Sequence, residues 1–142
     1  MSQDRTLTKM DRLKAALKIA WDAKAAHTKM RQSVADLQET IRTAKDSVPP
    51  YYESFEEIEK IATQIESLEL AYKLTHEPLI VKRDARRAAV DDVADLLPWK
   101  KWLKVGDVCY RKTSTHVVEY ATPDSVDRYN GTYTMDPPPK PQ

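Results

Sequence analysis

The sequence predicts a mainly α protein with a small β appendage: a long antiparallel helical hairpin, C-terminal β-hairpins and an extended Pro-rich tail. Three observations predict it. Leu13, Ala16, Ala20, Ala23, His27, Met30, Val34, Leu37, Ile41, Ala44 and Val48 recur at unbroken steps of three and four, the spacing of one helix face on a partner. Ile58, Ile61, Ile65, Leu68, Tyr72, Thr75 and Leu79 repeat that spacing after Pro49-Pro50. Beyond Pro98 the helical period stops, and short β-branched and aromatic runs alternate with turn residues. The expected divisions are 1–97 for the hairpin, 98–135 for the β unit and 136–142 for the tail.

The first helix should start at Thr6 or Thr8, whose hydroxyls can cap, with Asp4 and Asp11 near the positive end of the dipole. No Gly or Pro interrupts Thr8 to Ala44, a rod of roughly 55 Å at the ordinary helical rise. Leu7, Met10, Leu17 and Trp21 widen its apolar face. They either meet a third element of the same chain or form a docking face for another protein. His27 is the one polar seam member. A lone histidine with no acid or second histidine on its face reads as structural.

Pro49-Pro50 ends the first helix, because paired prolines cannot continue it and drive Val48 to extended angles. Placing Val48 opposite Tyr51 pairs Ile41 with Ile58, Val34 with Ile65 and His27 with Tyr72. Arg42 then falls by Glu57 and Arg31 by Glu69. A His27–Tyr72 hydrogen bond fixing the register is the expectation. Charge agrees: residues 1–50 hold ten Lys/Arg and six Asp/Glu, whereas residues 51–77 hold two and seven. Glu53, Glu56, Glu57 and Glu59 read as weak ion-pair partners.

Pro78 kinks or breaks the returning helix. Leu79 to Leu97 is helical by period, with Ala85, Ala89, Val93 and Leu96 on one side. Lys82, Arg83, Arg86 and Arg87 form a basic patch there. It is either a solvated face paired with Asp84, Asp91 and Asp92 or a contact for nucleic acid or an acidic protein.

Trp99, Trp102 and Leu103 read as an anchor for the β unit. Val108–Lys112 and His116–Ala121 form a hairpin around Thr113-Ser114-Thr115, and Asn130-Gly131 marks a second tight turn. Pro137, Pro138 and Pro139 make the tail an extended arm, expected to dock on a neighbouring subunit.

Two glycines, Gly106 and Gly131, exclude a Gly-rich phosphate loop, and one cysteine, Cys109, excludes a disulfide framework or thiolate cluster. Cys109 and His116 could meet across the hairpin, with packing the plainer role for the thiol. No stacking platform interleaved with basic side chains stands out. No catalytic residue, cofactor or metal is expected. The polar start MSQDRTLTKMDR and the lack of a long apolar run point to synthesis in the cytoplasm without membrane contact.

The expected function is therefore a non-enzymatic structural or assembly protein of a large particle, with other protein subunits as partners. A tailed-phage virion component (head, neck or tail) is its specific form. The alternatives are a nucleic-acid-binding or packaging-associated module using the basic helix faces, and a coiled-coil adaptor or chaperone for one cellular protein.

Overall fold

A computed structural model describes residues 8–128 and 132–138. The protein is mainly helical with a small antiparallel sheet: α1 is Lys9–Asp46, α2 Phe55–Leu74 and α3 His76–Ala94. Then follow β1 (Leu103–Val105), β2 (Val108–Ser114), β3 (Val117–Ala121), α4 (Pro123–Arg128) and β4 (Tyr133–Thr134). Helix α1 starts where Thr8 caps it: the Asp11 N–H donates to Thr8 Oγ1 at 3.0 Å, and the Thr8 N–H donates to Asp11 Oδ2 at 3.3 Å. Helix α2 starts at Ser54, whose Oγ accepts from the Glu57 N–H, while Glu57 Oε2 accepts from the Glu53 N–H.

Thr75 separates α2 from α3, so the long returning helix bends just before Pro78. Pro78 then lies in the first turn of α3, where its missing N–H costs little. The Thr75 hydroxyl donates to Tyr72 O at 2.6 Å, taking up one carbonyl at the break.

The sheet is a meander in the order β1-β2-β3-β4. Gly106 turns β1 into β2 at φ +63°, a left-handed angle that favours glycine. In β2 and β3, Tyr110 faces Tyr120 and Arg111 faces Glu119, with an irregularity between Lys112 and Ser114. The last strand differs from the expected second hairpin. β4 pairs back onto β3 after the short helix α4, and Asn130-Gly131 lies outside the described residues.

By compactness the chain divides into two units. One joins the chain up to His27 with the chain from Lys82 onward, and the other is Thr28–Val81. In the first, Leu13, Leu17 and Ala20 of α1 meet Ala89, Val90, Val93 and Ala94 of α3, with Leu97, Tyr110, Val118 and Met135 closing the core. Each fully buried Leu or Val there contributes about 1.5–3 kcal/mol.

The second unit is two helices deep. Gln38 Nε2 donates to the Tyr72 hydroxyl at 2.7 Å, and Lys45 pairs with Glu69 at 3.0 Å. The expected register is therefore corrected: Tyr72 meets Gln38, about three helical turns past His27. Arg42 bonds Glu39 on its own helix, not Glu57. Prolines 49 and 50 favour an extended connection over a tight reversal, which lets α2 slide along α1.

Candidate interaction surfaces

The predicted basic patch on α3 separates by face. Arg83 and Arg86 are buried, whereas Lys82 and Arg87 are exposed. Arg83 Nη2 lies 2.8 Å from Asp84 Oδ1. Arg86 reaches further: Nε donates to Met135 O at 2.9 Å, Nη2 to Asp136 O at 2.8 Å, and Nη1 lies 3.0 Å from His27 Nδ1. Arginine always carries its protons, so Nδ1 is the acceptor and His27 holds a proton on Nε2. The planar guanidinium ties three segments together with its forked donors. Arg83 and Arg86 are thus internal groups and cannot serve as the expected contact surface. His27 is engaged by Arg86, and Tyr72 by Gln38.

The same cluster fastens the start of the tail. Met135 is fully buried, and its N–H donates to Val118 O at 2.9 Å. Asp136 Oδ1 accepts from the Val118 N–H at 3.1 Å. Burial pushes the Asp136 carboxyl above its ordinary range; the Val118 N–H and Arg86 partly oppose this, while Asp91 and Glu119 add to it. Pro137 and Pro138, just after the anchored Asp136, are half-buried. Pro139 lies outside the described residues.

The widened apolar face of α1 is internal too. Leu17 is in the core, and Met10 and Trp21 pack against it; Leu7 lies outside the described residues. The Trp21 indole N–H donates to the Tyr110 hydroxyl at 2.9 Å, and the Tyr120 ring stands edge-on at 4.8 Å. Burial raises the Tyr110 phenol above its ordinary range, the Trp21 bond opposes this, and Tyr120 reinforces it. A third element of the same chain covers this face, which corrects the docking expectation for Leu17 and Trp21.

Cys109 and His116 do not meet. Cys109 is buried opposite Ala121, while His116 Nδ1 lies at the β2–β3 turn, 2.9 Å from Asp91 Oδ1. Among the described residues, no three His, Cys, Asp or Glu side chains gather as a metal site. No helix among them is long and apolar enough to cross a membrane.

Two surfaces remain. On Thr28–Val81, α2 contains no buried residue, and Phe55 (84% exposed), Leu74 and Leu70 stand open. Ala44, Ser47, Val48, Ile61, Gln64 and Ile65 line a cleft of about 270 Å³ there. On the other unit, Trp99 is exposed, against its expected role as an anchor, and Lys112 Nζ lies 5.1 Å from its ring centroid. Trp102 is half-buried under Arg111 at 4.5 Å. This second surface was missed in the sequence, although Trp99-Lys100-Lys101-Trp102 already interleaves rings with cations.

No family model, curated protein or solved structure matches the chain.

Proposed function

We propose that this is a non-enzymatic protein–protein interaction module whose Thr28–Val81 hairpin binds a helical surface of another chain. The observation that carries the reading is α2: twenty residues with Ile58, Ile61, Ile65, Leu68 and Tyr72 at helical spacing, and none buried. Helices in proteins are stabilised mainly by packing an apolar face, and two helices alone leave that face half open. A further helical layer from a partner closes it, as in a bundle of four. A second copy of this chain is the first partner to test. The finer form of the proposal is assembly within a large particle, a tailed-phage virion being the specific case.

The test is sedimentation over a range of concentrations, alone and with the chains that co-purify. Association is expected, and Phe55→Glu with Ile58→Glu should abolish it while the far-ultraviolet helical signal stays. A chain that remains monomeric throughout and binds none of those proteins overturns the reading.

A further inference from the structure

We propose that the Pro98–Lys112 edge of the sheet binds single-stranded nucleic acid, with one base stacked on Trp99 and phosphates on the lysines around it. Lys100, Lys101, Lys104, Arg111 and Lys112 stand against Asp107 alone in this stretch, whereas the entire chain is balanced to +1. The fold brings these charges to one border. β1 runs antiparallel along the first half of β2, and Trp99 bridges to Lys112 at the other end, with the Lys100 N–H donating to Lys112 O at 3.0 Å. Lys100, Lys101 and Lys104 are all exposed. Lys100 sits at φ 56°, left-handed backbone that a lysine rarely adopts.

Trp99 differs from the other two indoles. Trp21 is enclosed by Tyr110 and Tyr120. Trp102 is half-buried beneath Arg111, whose Nε is held by Glu119 at 3.1 Å. Trp99 is 53% exposed, yet fixed in place by its backbone bridge and by Lys112 over its ring. A fixed, open indole among lysines suits a base followed by its phosphates, because every base has a π face and every nucleotide a negative charge. An acidic peptide would use the lysines and leave the indole idle. A bilayer surface would call for more apolar depth than one ring. A duplex keeps its base faces stacked inside. This surface lies on a different unit from the hairpin, so the inference stands apart from the reading above.

The experiment titrates the full chain into fluorescein-labelled oligothymidine and follows anisotropy. Parallel arms use a DNA duplex, polyglutamate and phosphatidylserine vesicles. Saturable binding to the single strand is expected, tighter than in any other arm. The logarithm of affinity should fall against that of salt with a slope of about −3, from four lysine–phosphate contacts. Trp99→Ala should weaken binding roughly five- to a hundredfold, and Trp99→Phe much less. Lys100→Glu with Lys101→Glu should lower both affinity and slope while circular dichroism stays unchanged. Lysines that only guard a sheet edge against pairing would give no binding at low salt. That outcome overturns the proposal, as do equal affinity of Trp99→Ala, and equal or tighter binding of duplex, polyglutamate or vesicles.

Discussion

The two stretches of α1 carry the same apolar ladder and meet different fates. Leu13, Leu17 and Ala20 are at most 4% exposed, whereas Met30, Val34, Leu37 and Ile41 are only half-buried. Hydrophobicity does not separate them. The number of layers does: the first stretch has α3 and the sheet over it, and the second has α2 alone. A seam pattern therefore states which face a helix buries, not how deeply. Depth depends on what else the chain, or another chain, brings to it.

That comparison is sharpest in paired truncations. Leu13→Ala should cost about 3–4 kcal/mol, within the usual range for a large core residue. Ile41→Ala, half-buried, should cost about 1 kcal/mol in the isolated chain. Urea unfolding of both variants checks this. Near-equal losses would mean that the hairpin has its own complete core, and the case for a covering partner would fall with it.

Arg86 comes next. Arg86→Met keeps much of the volume but strips the donors from Met135 O, Asp136 O and His27. One buried and one part-buried carbonyl left without this partner predict a loss of roughly 2–4 kcal/mol. Hydrogen exchange should show early opening of Val118 and Met135, whose amides hold the tail segment. Lys82→Met and Arg87→Met, on the exposed side of the same helix, should change stability by less than about 0.5 kcal/mol.

This internal arginine marks the limit of what the sequence discloses. The helices were legible because three-four spacing, a capping Thr8 and a double proline are local signals, and so was the β2–β3 hairpin. The register was not. Eleven residues make three turns of a helix, so sliding one ladder by that amount opposes the same faces again. Tyr72 reaches Gln38 instead of His27 by that very step. The basic patch failed for a related reason: Arg83 and Arg86 share the spacing of Val90 and Val93, and their positions on the inward face outweighed their charge. Arg86 is held inside by Met135 and Asp136, some fifty residues away, which no local pattern reports.

Gly106 separates backbone from packing on the small sheet. A Cβ there would meet nothing within 4 Å, so any cost of Gly106→Ala is conformational. At φ +63° it should be about 1–2 kcal/mol. A thermal melt together with the β1 amide shifts reads it. A loss from crowding would contradict the open surroundings. The hairpin unit, Thr28–Val81, contains no glycine and no residue with a positive φ.

The smallest effect expected is a pH term confined to the layered unit. The Asp136 carboxyl is raised from its ordinary 3.8, chiefly by burial. The folded chain therefore holds this proton more tightly than the unfolded chain. Its contribution is complete below pH 3.8 and is lost as pH rises through the higher folded value. Asp136→Asn removes that titration but keeps an oxygen able to accept from the Val118 N–H. Stability of the variant should thus depend less on pH just above 3.8 and match or exceed the parent at neutral pH, a sign opposite to that of an ion-paired carboxylate. Urea midpoints in steps from pH 3.5 to 7 measure the difference. A variant that loses stability at neutral pH would show that the attraction of Arg86 outweighs the cost of burying the charge.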